Sequence, residues 1–135
     1  MTHPQPVQPL DNLIVELARA PQIATIGTIE PDGSPQLSPV WITNDGTALL
    51  FSTVVGRRKH ANILRDNRIS ISITDTHNPQ RRVEVRGGAT IGPDPEGQLI
   101  NTLSRAYTNQ PWVESTTKAK RVVIHLIPEH TVLRP

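Results

Sequence analysis

The chain has 135 residues, a formal charge of +2 and 36% hydrophobic residues, enough for one domain with a single core and too short for two. It contains no cysteine, which excludes a disulfide framework, a thiolate metal site and a cysteine nucleophile, and its small net charge argues against a dedicated nucleic-acid binder. Only Trp41, Phe51, Tyr107 and Trp112 are aromatic, so the core must rest on Ile, Val and Leu, a composition that favours strands.

Residues 1–9 carry three prolines and little to bury, and are expected to form a flexible tail ahead of one domain over residues 10–135. Asp11 is placed to cap a helix of about three turns whose face is Leu10, Leu13, Ile14, Leu17 and Ala18, with Pro21 as its stop. Residues 22–29 read as a strand. Glu30, Pro31, Asp32, Gly33 and Ser34 make a turn, and residues 35–43 return as its partner. A second turn at Asn44, Asp45 and Gly46 leads into residues 48–53, which predicts a three-stranded meander.

Gly56 then breaks the pattern before a short basic helix that ends at Asp66 and Asn67. Residues 69–75 alternate as a half-buried strand. Residues 81–91 alternate again, with Gly87 and Gly88 marking a bulge or a close backbone approach. Pro93, Asp94, Pro95 and Glu96 are expected to open a helix with acidic residues in its first turn, its apolar face being Leu99, Ile100, Leu103, Ala106 and Tyr107. After an irregular stretch, residues 119–133 form a last strand interrupted at Pro128. Many strands at hairpin distances without βαβ alternation predict a mainly β fold: a closed or nearly closed antiparallel barrel flanked by about three helices.

The functional signal lies in residues 51–68, FSTVVGRRKHANILRDNR. A strand there gives way at Gly56 to a helix whose start carries Arg57, Arg58 and Lys59, with Arg65 further along. Unpaired N–H groups at a helix N-terminus and clustered cations together form a receptor for an anion, above all a phosphate. A solvated helix face is the plainer reading of such a cluster taken alone.

The succession TIGTIEPDGSPQLSPVWI, LLFSTVVGRRKHANILRDNRISISI and VEVRGGATI resembles the pyridoxamine 5′-phosphate oxidase-like superfamily of split-barrel flavin and deazaflavin oxidoreductases, especially its short members that use the deazaflavin coenzyme F420. The resemblance spans residues 10–133. It implies a split β-barrel and a cofactor wall formed by Gln36, Leu37, Ser38, Pro39 and Val40 on one segment and by Ser52 and Thr53 on the next. It further implies phosphate contacts from Arg57, Arg58 and Lys59, with Asn62 as an additional polar contact. The site implied is shared in a homodimer, residues 80–85, including Arg82, reaching the cofactor of the other subunit.

The function expected from the resemblance is hydride transfer between F420 and a small organic substrate. FMN is the alternative cofactor, and a non-enzymatic flavin or haem carrier the alternative activity. Neither Glu84 nor Glu114 shows the pattern of a catalytic acid or base, so no catalytic residue is assigned. The five histidines lack metal-ligand spacing, and no metal is expected. With no apolar stretch near the roughly 20 residues of a membrane span, and no leader pattern, the expectation is a soluble, cytoplasmic protein that binds neither membrane nor nucleic acid. The absence of aromatic residues beside the basic helix also argues against single-stranded nucleic acid.

Overall fold

The computed structural model describes residues 8–135. Its elements in order are α1 (Asn12–Leu17), β1 (Ile23–Ile29), β2 (Pro35–Trp41), β3 (Thr43–Asn44), β4 (Leu49–Val54), α2 (Arg58–Arg65), β5 (Arg68–Thr74), β6 (Arg82–Pro93), α3 (Gln98–Thr108), β7 (Arg121–Leu126) and β8 (His130–Arg134). Residues 1–7 of the expected tail lie outside the described residues, and Gln8 and Pro9 are exposed.

The strands form one antiparallel ladder in the order β2-β1-β5-β6-β7-β4-β3, with β8 added to β6. Its two ends, β2 and β3, are separated in the chain by Ile42 alone, so the sheet curls back on itself. Alternation explains the interior: Ala24 and Ile26 of β1, Ile69, Ile71 and Ile73 of β5, Val83 and Val85 of β6, and Leu49 and Phe51 of β4 all point into one core. Leu13, Ile14 and Leu17 of α1 join that core. The fold is therefore mainly β, a curled antiparallel sheet with three helices, as the alternation predicts, in the split-barrel form that the resemblance implies.

The expected meander is corrected. β1 and β2 pair over seven residues, but the return to β4 survives only as the two-residue pairing of Thr43 and Asn44 with Leu50 and Leu49. The main partner of β4 is β7. The cause is the break at Ile42, a fully buried residue where the chain passes from one half of the barrel to the other.

Two helix boundaries also differ from expectation. α1 is only six residues long, although Asp11 caps it as predicted, accepting the Leu13 N–H at 2.8 Å. α3 begins at Gln98 and has no acidic residue in its first turn. Asp94 instead reaches forward from the loop, and its carboxylate accepts the N–H groups of Gln98 (2.9 Å) and Leu99 (3.0 Å).

Gly87 marks a close approach and not a bulge, because the register of β5 on β6 runs unbroken from Gly88 to Arg82. The first half of β6 pairs with β5 and β8, and its second half with β7. The β7–β8 corner crosses β6 at this change of partner, and a Cβ on Gly87 would stand 2.6 Å from the Ile127 carbonyl oxygen. Gly87→Ala is accordingly expected to destabilise the fold by about 1–3 kcal/mol through overpacking against backbone that cannot yield. Urea unfolding checks this, and an unchanged midpoint would refute it.

Candidate functional site

No ladder joins β2 to β4, and a cavity of about 490 Å³ opens where they face each other. β2 contributes Pro39, Val40 and Trp41, β4 contributes Ser52 and Thr53, and the turn into α2 contributes Arg57 and Lys59. Ile100 and Leu103 of α3, with Trp112 and Arg121, form the opposite lining.

One wall is aromatic. Trp41 stacks on Tyr107 with ring centroids 5.4 Å apart, and Trp112 meets Trp41 edge-on at 5.9 Å. The other end is cationic. Gly56, at φ 92°, allows the reversal from β4 into α2, and its N–H donates to His60 Nδ1 at 3.2 Å. Arg57 sits at the helix N-cap without a side-chain capping bond. Among the described residues, neither Arg57 nor Lys59 meets a carboxylate. Burial, and after it the neighbouring Arg57 charge, holds the Lys59 amine below its ordinary pKa.

The polar groups between these ends lack partners. Among the described residues, the hydroxyls of Ser52 and Thr53 in the lining, and that of Ser38 in β2, are buried and unbonded. A buried donor without a partner costs about 1–3 kcal/mol, so the two in the cavity lining, Ser52 and Thr53, suit a polar ligand. Pro39, Val40 and Trp41 supply the flat apolar wall, and Arg57 and Lys59 supply the charge. The residues present therefore fit a planar group carrying an anionic tail.

The sequence-selected residues divide into two sets. Pro39, Val40, Ser52, Thr53, Arg57 and Lys59 line the cavity, and Ser38 stands in β2 between Leu37 and Pro39. Gln36 and Asn62 belong to a polar network outside it. Asn62 Nδ2 donates to Thr28 Oγ1 at 3.0 Å and to Glu30 Oε1 at 3.2 Å, and Thr28 Oγ1 donates to Gln36 Oε1 at 3.1 Å. Arg58 is largely exposed and lies 3.5 Å from Glu30, whereas Leu37 is 66% exposed on the outer face of β2. Arg82 opens β6, exposed and outside the cavity.

Trp41, Arg121 and the two α3 residues were not singled out by their spacing. The feature that unites them is tertiary: α3 lies across β4 and brings its apolar face to the cavity. Glu114 lies beside Trp112 and Arg121, bonded to both, while Glu84 is exposed and 3.9 Å from Arg86. Among the described residues, no cluster of three His, Asp or Glu could hold a metal ion. No described helix is long and apolar enough to cross a membrane.

A second groove, about 660 Å³, runs between Leu37, Asn67, Arg68 and Gly88. Its arginines already face carboxylates, Arg68 at 2.7 Å from Asp66 and Arg86 at 3.9 Å from Glu84. The first cavity alone of these two combines uncompensated cations with buried, unbonded hydroxyls.

Comparison with known proteins agrees with this geometry. A family model described as pyridoxamine 5′-phosphate oxidase matches residues 10–133. A solved structure described as an F420 reductase is 34% identical and superposes with a TM-score of 0.78, over 87% of this chain and 94% of its own. A conserved hypothetical protein from Mycobacterium tuberculosis is 22% identical (TM-score 0.71, 96% of this chain, 88% of its own). The General Stress Protein 26 from Bacillus anthracis is 16% identical (TM-score 0.68, 91% and 92%). These last two share the fold. No curated protein matches the sequence.

The lowered pKa of Lys59 makes a prediction about the free protein. In the unfolded chain the amine keeps its proton up to about pH 10.5, so above the lowered folded value the unfolded state binds more protons and stability rises with pH. Lys59→Gln is expected to be more stable than the parent near neutral pH, with the gap closing as pH climbs through that window. Denaturant titrations at a series of pH values measure it; a constant gap would contradict the buried-cation assignment.

Proposed function

The chain belongs to the pyridoxamine 5′-phosphate oxidase family, whose members are largely flavin-type oxidoreductases, and from that membership we propose that it is an oxidoreductase using coenzyme F420. The observation that carries the proposal is the pairing, in one cavity lining, of Arg57 and Lys59, which meet no carboxylate among the described residues, with the buried, unbonded hydroxyls of Ser52 and Thr53. The 34% identity to an F420 reductase supports the deazaflavin over FMN.

In this reading Arg57, Lys59 and the first N–H groups of α2 hold the phosphate, bidentately where Arg takes part. Pro39, Val40 and Trp41 give the ring a dry, flat wall, and Ser38, Ser52 and Thr53 offer hydrogen bonds to its heteroatoms. Gln36, Asn62 and Arg58 act from outside the cavity by fixing α2 against β1. The bound deazaflavin supplies the hydride chemistry. The chain's own contribution is to orient the ring, exclude water and compensate the anionic tail.

The same reading includes a homodimer. Ile23 and Leu37 leave apolar side chains 47% and 66% exposed on the outer face of β1 and β2, beside the cavity wall. A second copy covering that face would bring its residues 80–85, with Leu37 of the first copy, to the shared site. Arg82, remote from the cavity of its own chain, then serves the other subunit.

Two measurements test these assignments. Titration by cofactor fluorescence is expected to show F420 binding more tightly than FMN, and Lys59→Ala to weaken F420 by about 1–3 kcal/mol, the range of a charge-assisted hydrogen bond. Stronger binding of FMN, or no effect of Lys59→Ala, would remove the F420 assignment or the phosphate grip respectively. Turnover of reduced cofactor against a panel of acceptors separates an enzyme from a carrier. Sedimentation is expected to give a dimer at micromolar concentration, and a monomer with full cofactor affinity would end the shared-site reading.

A further inference from the structure

The cavity shares Ile100, Trp112 and Arg121 with an adjoining hollow of about 340 Å³, so these side chains form the partition between the two spaces. Arg121 opens β7 opposite Val54, close to the turn that carries Arg57. Its side chain is only 8% exposed.

A buried guanidinium normally spends its donors. Here Nε donates to Glu114 Oε1 at 2.8 Å, and the guanidinium carbon lies 5.0 Å from the centroid of the Trp112 ring. The Trp112 indole N–H donates to the same carboxylate oxygen. Of the five N–H donors of an arginine, one is used; the four on Nη1 and Nη2 make no hydrogen bond to the described residues and, not being among the fully buried unbonded atoms, keep some accessible surface. Thr53, 2% exposed on the neighbouring strand, adds an unbonded buried hydroxyl to the same cavity.

We propose that Arg121 is a third anion-binding side chain of this cavity and that Glu114 is its resident counter-charge, which positions the guanidinium and at the same time weakens the cavity's pull on a bound phosphate. The proposal rests on the reading of the cavity as a phosphate-binding site and adds to it a residue and a built-in brake. Without ligand the cluster comprises Arg57, Lys59 and Arg121 against one carboxylate, so two positive charges stay uncompensated. That excess is what a dianionic phosphate would neutralise.

Glu114 is suited to this role. Burial pushes its carboxyl up, but the hydrogen bonds from Trp112 and Arg121, with the charges of Arg121 and Arg57, hold it below the usual carboxylate range. It therefore stays ionised at neutral pH. The influence of Arg57 also places Glu114 within electrostatic reach of the phosphate-side cations.

Glu114→Gln separates the two functions, because the amide oxygen can still accept from Trp112 and Arg121 while the charge is gone. With inorganic pyrophosphate as the probe in calorimetry, Glu114→Gln is expected to bind about tenfold more tightly than the parent at low salt, the gain shrinking as salt screens it. Arg121→Gln is expected to bind about tenfold more weakly, and in the double variant the gain should vanish. Asp32→Asn removes the same charge from an exposed turn outside the cavity, where the side chain accepts only from Ser34, and is expected to leave affinity unchanged.

A gain of affinity cannot come from a damaged fold, so the Glu114 variant remains decisive even where Arg121→Gln fails to fold. Unchanged or weaker binding in Glu114→Gln, an equal gain in Asp32→Asn, or no pyrophosphate binding by either parent or Glu114→Gln would overturn the proposal. Because the probe is not a redox cofactor, a protein that meets these expectations yet ignores F420 would refute the cofactor assignment and leave the role of Arg121 standing.

Discussion

The hydroxyl of Tyr107 holds the barrel at the point where it splits. It donates to the Gln22 carbonyl at 2.5 Å, lies 3.2 Å from the Ile42 carbonyl and accepts the Ile42 N–H at 3.1 Å. Ile42 is fully buried between β2 and β3, where the chain leaves one ladder for another and its amide has no strand partner. A lone buried amide is costly, so a side chain from α3, 65 residues away, completes what the sheet cannot. Burial holds the phenol above its ordinary pKa, which keeps it protonated as the donor this bridge requires.

Everything at the cavity follows from that bridge. Tying Tyr107 to Ile42 stacks its ring on Trp41, and this lays α3 across β4. Ile100 and Leu103 thereby become one side of the cavity that Pro39 and Val40 face from the other. A second constraint sets the cationic end: Asn62 bonds Thr28 and Glu30, Arg65 bonds both Asn62 and the Ile29 carbonyl, and α2 is thus locked to β1 with its N-terminus beside β4. The helix is positioned from its far turns, which leaves Arg57 and Lys59 at its start free of internal partners.

Local patterning was enough for the elements whose signals are local. The turn around Gly33, the alternation of β5 and β6, the cap at Asp11 and the cationic start of α2 all depend on residues a few positions apart, and all appear in the structure. What was not legible depends on distant residues. The partner of β4 is β7, set by the break at Ile42 and not by the turn at Gly46. Arg121 reads as an ordinary strand residue until Glu114 and Trp112 are folded beside it. Asn62 and Arg58 have the composition of ligand contacts, yet Thr28 and Glu30 occupy them.

The distribution of satisfied and unsatisfied groups separates scaffold from site. Around the scaffold each polar group of consequence is bonded: Asp94 caps α3, Asp45 accepts three local donors, Asn62 saturates its amide. Around the cavity the pattern reverses: among the described residues the buried hydroxyls of Ser52 and Thr53 are unbonded, Arg57 and Lys59 meet no carboxylate, and the Arg121 guanidinium makes one hydrogen bond. Folding alone gives no reason to keep such groups, since apolar residues of similar shape would be at least as stable there. In the proposed reading a polar, anionic ligand would recover that free-energy cost, and the same groups that weaken the empty fold would supply the selectivity of the filled one.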